Sequence, residues 1–485
     1  MPGAKRGRTD GHVRREDFEA SDAWADVSNE RTSLKDEGVV GFPRASATTL
    51  ATRPRVKRPE VLSRAQDPAR VRLFKKAVRL LNQQFSRMME QELAECPDAD
   101  LSDAVQDYLS YAYLLEDRFL RSPGVVMTWG DNDCNQLGYD RDGKLDARPR
   151  VVRALRNISA TQIACGSLHS VLLTDSGRLW TWGVNDDGAL GRPGPQDVPT
   201  LVGAAAVEGL RFLQVAAGDC HSVALTTAGD VYAWGCFKDD NNKSCGGVVA
   251  AAKACMRNQT EPVRVPGVYG AMEVRCGFSS ALALLSDATV VSWGLGGHGE
   301  LGRPVGPLQD AEERPNFASI LNEHLLPSGM TFAADGEKGS GGTTSGGDGG
   351  SNSVTDVRNI AAGGRHAFVV RGVYSAVYGT GLNNYGQVGL GAAAAGANCF
   401  APALTHVAAL DNLGVASAAC GEFHSLFLTA DGRLLACGRS DAGQLGVGAA
   451  GETLKPGSFL TAPVEVALPG AAGVPTAVAA GGSHS

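Results

Sequence analysis

Histidine is the residue type here with the clearest chemical capacity, and it keeps the same neighbours each time. It stands at His169, His221, His366, His424 and His484, in corners that read CGSLHS, AGDCHS, GGRHAF, CGEFHS and GGSHS; a further corner, CGFSSA, carries Ser280 instead. An imidazole could serve as a general base or a metal ligand. Repetition argues against both. Equivalent histidines spread one per unit cannot all be bases, and a buried imidazole tying one unit to the next accounts for the recurrence. No P-loop, HExxH or nucleophile elbow occurs. The eleven cysteines lack CxxC spacing, and Cys165, Cys276 and Cys420 lie in strand-like runs. They read as reduced core thiols, which suits cytosol or nucleus, so no metal and no cofactor is expected.

The elements that position these corners repeat six times. Each unit opens with a strand ending at a glycine: Gly130, Gly183, Gly235, Gly294, Gly381 and Gly438, with steps of 53, 52, 59, 87 and 57 residues. A polar turn with Leu-Gly or Val-Gly usually follows (NQLG, GALG, GELG, GQVG, GQLG), then a variable loop, then the corner. Alternating strands and a D-G-type turn close several units, as in VLLTDSGRL and LFLTADGRL. Period-2 alternation excludes a helical solenoid, and a period in the fifties exceeds the ~40–45 residues of a WD-type blade. The sequence predicts an all-β propeller over 124–485. The glycines allow close backbone approach or positive φ. Residues 327–354 are Gly/Ser low complexity, read as a flexible surface loop.

These motifs resemble the regulator-of-chromosome-condensation family of exchange factors for the small GTPase Ran. GVNDDGALGR at 183–192, GLGGHGELGR at 294–303 and GLNNYGQVGL at 381–390 match its repeat-specific spellings. WGCFKDDNN at 234–242 resembles its third-repeat wedge, a hairpin that enters the GTPase near the nucleotide. The resemblance implies that Phe237, Lys238, Asp239, Asp240 and Asn241 occupy the wedge. It implies acidic rim positions at Asp133 and Asp219 and a basic one at Arg303. It also implies an acid where Ser279 stands and a histidine where Phe423 stands. On local grounds alone, Asp133 and Asp219 read as turn formers. The family has seven blades and six repeats are visible, so the chain is expected to be truncated before a seventh.

Before the propeller, 1–63 is charged and lacks apolar periodicity, and is expected to be disordered. Basic residues cluster at Lys5 and Arg6 and at Arg53, Arg55, Lys57 and Arg58, suited to the acidic grooves of nuclear-import adaptors. Over 64–121, Val71, Phe74, Val78, Leu81, Phe85 and Met88 recur at helical spacing, and a second stripe runs from Val105 to Leu115; a small helical hairpin is expected. AKRGRTDGHVRREDFEASD, GVVGFPRASATTLATRPRVKRP and PDADLSDAVQDYLSYAYLLED, in that order, resemble nuclear-pore basket nucleoporins that bind importin α. Together the halves imply Ran exchange coupled to importin-α cargo release in the nucleus, at the pore basket or chromatin. The alternative is a non-catalytic scaffold for Ran, importin α, nuclear-pore proteins or the nucleosome.

The bulk numbers fit. A chain of 485 residues is too long for one core. A net charge of −7 excludes a general nucleic-acid binder. No apolar run reaches the ~18 residues of a membrane span, and the charged N-terminus is not a secretory signal.

Overall fold

The structure is a computed structural model and describes residues 125–139, 145–239, 244–247, 258–306, 323–333, 356–372, 375–447, 458–468, 475 and 477–485. Its second strands show best why the chain folds as it does. His169–Thr174, His221–Thr226 and His424–Thr429 are buried at every residue, unlike a strand with one wet face. A strand buried on both faces needs a packed layer on each side.

Those layers are antiparallel sheets in chain order. Sheet 1 pairs Met127–Asp131 with Leu145–Val151. Sheet 2 holds Ala160–Cys165, His169–Thr174, Leu179–Gly183 and Thr200–Leu201. Sheet 3 holds Phe212–Ala217, His221–Thr226, Val231–Lys238 and Gln259–Arg264, with Ser244–Gly247 as an additional strand. Sheets 4, 5 and 6 begin at Ala271, Val357 and Val415 and are four-stranded meanders. No metal cluster or apolar membrane-length helix occurs among the described residues.

Apolar side chains fill the gaps between sheets. Val171, Leu173, Phe212, Val215 and Trp234 join sheets 2 and 3; Phe368 meets Phe427 edge-on at 4.9 Å between sheets 5 and 6. Glutamines staple the first strands. Gln162 Nε2 donates to Val215 O (3.0 Å) while its Oε1 accepts from Val215 N (2.9 Å), and Gln214 does the same to Val274.

Three expectations change. The fold class is corrected: among the described residues the protein is all-β, with only 3-10 segments and a single turn at Glu323–Leu325 as helix. The helical hairpin expected over 64–121 lies outside the described residues and is not carried further. The 327–354 loop begins as structure. Ser328–Gly329 pairs with Val291 and Ser292, Met330 is fully buried, and Phe332 meets Tyr378 at 4.8 Å. Cys165 is exposed rather than in the core.

Candidate functional site

The corner histidines form a belt. His169 Nε2 lies 2.8 Å from Ser222 Oγ, His366 Nε2 2.8 Å from Ser425 Oγ, and His424 Nε2 2.8 Å from Ser485 Oγ, each serine in the next unit. The serine hydroxyls donate onward to the carbonyls of Ala189 (2.9 Å), Gln387 (2.7 Å) and Gln444 (2.8 Å). With its proton used there, each serine accepts from the imidazole Nε2–H, and the Nδ1 of His366 and His424 is buried without a partner, as suits a neutral ring. Burial holds His169 down at about 4 and His366 at about 3. These imidazoles are braces.

The belt breaks beside sheet 4. Both ring nitrogens of His221 are buried without a hydrogen-bond partner; the position equivalent to the belt serines is Ala281, which has no hydroxyl, and the corner position that would carry the next histidine is Ser280. The neighbour that would serve that histidine is Ala367, so the loss is consistent on both sides. Phe237 fills the gap: its ring is fully buried, 4.7 Å from the His221 imidazole and against Gly294.

Phe237 roots the wedge. Strand Val231–Lys238 runs eight residues. Its first part pairs with Gln259–Arg264 and its last part with Ser244–Gly247, which makes the hairpin. Gly235 lies at the changeover, with φ +94° and an added Cβ only 2.2 Å from the Cys220 carbonyl, as at the equivalent Gly183, Gly294, Gly381 and Gly438. Lys238 Nζ pairs with Asp187 Oδ2 at 2.6 Å, both side chains mostly buried. The Lys238 N–H donates to Ser279 Oγ (3.2 Å), and that hydroxyl donates to Lys238 O (2.7 Å). Ser279 thus holds the wedge root, and its lone hydroxyl proton is used there. Asp239 is half-buried at the strand end; Asp240 and Asn241 lie outside the described residues.

The corners join in an arc through their backbones. Asp219 N donates to Phe278 O (3.0 Å), Phe278 N to Gly364 O (3.0 Å), and Gly364 N to Gly421 O (2.9 Å). This gathers Asp219, Arg365 and Glu422. Burial raises the Glu422 carboxyl against the pull of Arg439 and Arg365, and the Asp219 charge raises it further. Arg365 Nη1 donates to His298 Nε2 (3.1 Å). Phe423 packs on Tyr385 (5.4 Å) and under Arg439 (5.7 Å). Charge and hydrogen-bonding capacity on this face therefore come from Asp219, Glu422, Arg365 and Arg439, not from Phe423.

The sequence-derived residues separate. Asp219 and Lys238 reach one neighbourhood, since both interact with Cys220. Asp133 is exposed in the turn of sheet 1, its N–H bonded to Asp131 Oδ1 (2.9 Å). Arg303 is interior: its guanidinium donates to Ser292 Oγ (3.3 Å) and the carbonyls of Glu323 (3.0 Å) and Leu326 (3.1 Å). Arg192 does the same two repeats earlier, on Thr181 and Pro195. Lys5, Arg6, Arg53, Arg55, Lys57 and Arg58 lie outside the described residues. Sequence reasoning missed Asp187, Glu422, Arg365 and Arg439. The signal for Asp187 was a lone lysine, Lys238, about one repeat further on.

The model of the RCC1-like domain matches residues 125–485. The regulator of chromosome condensation of Mus musculus is 27% identical over 330 residues, 68% of this chain and 71% of that protein. The guanine nucleotide exchange factor SRM1 of Saccharomyces cerevisiae is 28% identical over 361 residues, 67% of this chain and 66% of that protein. Yeast RCC1 (Prp20), solved bound to Kap60, aligns with a TM-score of 0.60 at 26% identity, over 75% of this chain and 76% of that one. Stacked antiparallel sheets joined at glycine corners, matched from Val125 to the last residue, place this chain in the RCC1-like domain family.

Proposed function

We propose that this chain is a guanine nucleotide exchange factor for the small GTPase Ran, working in nuclear transport. The observation that carries this reading is the wedge: an extended strand and hairpin found, among the described residues, in sheet 3 alone, clamped at its root by Asp187 and Ser279, next to the acidic corner at Asp219. Exchange needs no covalent chemistry. A factor that binds the empty GTPase more tightly than the loaded one lowers nucleotide affinity by linkage. A rim of Asp219, Glu422, Arg365 and Arg439 offers the charge to grip a partner. The wedge offers a rigid element to displace the phosphate and magnesium contacts. Asp239, Asp240 and Asn241 form its advancing part in this reading, and Asp133 adds an outlying acid.

The first 121 residues add a second hand. Lys5, Arg6, Arg53, Arg55, Lys57 and Arg58 bind importin α, so that cargo release and Ran charging occur on one chain, at the pore basket or on chromatin. A related yeast factor has been crystallised with Kap60. A short flexible tether would raise the local concentration of the second partner to about mM. Failure of residues 1–63 to bind importin α would remove this part alone.

The decisive experiment follows release of a fluorescent GDP analogue from Ran with catalytic amounts of the chain, with and without Asp219→Ala. The expected result is acceleration that the substitution lowers by on the order of tenfold or more. A second reading, a scaffold that docks Ran without exchange, is favoured by Ser279 and Phe423. One hydroxyl is used on the wedge backbone and the other position is an aromatic ring, so neither brings charge. Binding of Ran without acceleration would establish that reading.

A further inference from the structure

The root of the wedge carries a thiol pair. In sheet 3 the ladder ends with His221 opposite Gly235, and Cys220 and Cys236 come next on the two chains. The Cys236 N–H donates to Cys220 O at 3.0 Å. The same bond recurs in the other sheets between Val184 and Leu168, Leu295 and Ser279, Leu382 and Arg365, and Arg439 and Phe423. Among these equivalent pairs, only the wedge sheet has cysteine on both strands. Both are free thiols. Directly opposed residues hold their Cβ atoms roughly 4.5–5.5 Å apart, close to the roughly 3.5–4.5 Å a disulfide requires.

The surroundings divide the labour. The Cys220 thiol donates to Asp219 Oδ2 at 3.6 Å and is partly exposed, so a small oxidant can reach the pair. Cys236 is buried. Cys220, the more exposed sulfur, meets an oxidant first, and the buried Cys236 stands behind it as the resolving thiol.

We propose that Cys220 and Cys236 form a reversible disulfide site, oxidised by a peroxide and reduced by a thiol, that sets the position of the wedge root. Hydrogen peroxide converts one thiol to a sulfenic acid with release of water. The second sulfur attacks the first, the S–S bond forms, and a second water leaves. Two electrons pass from the thiols to the peroxide. The bond ties the Asp219 corner covalently to the residue before Phe237 and removes the thiol donor from the Asp219 carboxylate. Oxidation therefore moves the wedge root and the acidic corner together.

The thiol site stands apart from the exchange reading, although its effect on the wedge rests on it. The full chain is treated with hydrogen peroxide, alkylated, digested and examined by mass spectrometry, before and after dithiothreitol. The expected product is a cross-linked peptide containing Cys220 and Cys236, lighter by two hydrogens and lost on reduction. Cys220→Ser should leave Cys236 unlinked. Cys236 joined to Cys245, or both thiols recovered as alkylated cysteine under conditions that oxidise a free thiol control, overturns the site. Ran exchange is then compared between oxidised and reduced protein. Oxidation should slow it by roughly tenfold or more, the scale of displacing a positioned element by up to about an ångström. Cys236→Ser should show equal rates in both states. Equal rates for a wild-type chain bearing the mapped linkage overturn its control of the wedge. Absence of exchange in the reduced chain counts against the exchange reading and leaves the linkage result to decide the thiol site.

Discussion

The ring of Phe237 lies 4.7 Å from the imidazole of His221, centroid to centroid and at 61°, where the next sheet offers Ala281 instead of a serine. Elsewhere that serine completes the belt. Removing it should therefore be costly where it exists and of small effect where it does not. Ser222→Ala leaves the buried His169 N–H without its acceptor and frees the Ala189 carbonyl from one of its two donors. The expected loss is about 1–3 kcal/mol, read from urea unfolding midpoints. Ala281→Ser should change stability by less than about 1 kcal/mol, because the new hydroxyl gains His221 but crowds Phe237. Equal losses from both substitutions would contradict the belt.

Lys238 and Asp187 make the clamp on the wedge. Their side chains are 17% and 20% exposed, so water screens the pair less than a surface bridge. Asp187 holds the Lys238 ammonium above its usual range although burial opposes this. A double-mutant cycle with Lys238→Met and Asp187→Asn should show a coupling of about 1–3 kcal/mol in unfolding free energy. Either single change should slow nucleotide release more than it weakens capture of Ran. A coupling indistinguishable from zero would make the pair incidental.

Strands were legible wherever alternation ran between glycines, because a sheet face and its turns leave a local signature. The corner histidines were legible as braces because they recur. The extra strand Ser244–Gly247 beside WGCFKDDNN lies where the family resemblance put a hairpin. What could not be read locally was pairing across repeats. Asp187 in GVNDDGALG has the form of a turn aspartate, and only the fold brings Lys238 to it. Met330 and Phe332 were averaged into a glycine-rich window, although their alternation marked a strand. The family resemblance implied a rim position for Arg303, which the structure places in the interior. Its twin Arg192, in the same place two repeats earlier, was the sign of a structural role.

Arg303 offers a clean separation of scaffold from rim. Its guanidinium spans Ser292 Oγ and several backbone carbonyls around Glu323–Leu326, a planar set that an ammonium cannot match. Arg303→Lys should lower stability by about 2–4 kcal/mol, leaving buried carbonyls unpaired. Exchange per folded molecule, corrected with an active-site titration against Ran, should stay near that of the unchanged chain. A selective fall in exchange with no change in unfolding midpoint would return Arg303 to the binding surface.

The belt also fixes how stability depends on pH. Burial lowers His169 and His424 to about 4 and His221 and His366 to about 3. An unfolded histidine titrates near ~6.5. Their folded values lie below that, so the stability linked to them is complete above it and is lost as pH falls towards the folded values. Through this window the unfolded chain takes up protons that the fold refuses, at about 1.4 kcal/mol per imidazole per pH unit. Urea midpoints should therefore be level above about pH 7 and fall steeply towards about pH 5. His366→Asn should give a shallower slope by one imidazole's share, from a lower starting stability. A midpoint that stays level through this window would mean that the imidazoles are protonated in the fold, and the neutral Nε2–H tautomers bonded to Ser222, Ser425 and Ser485 would have to be abandoned.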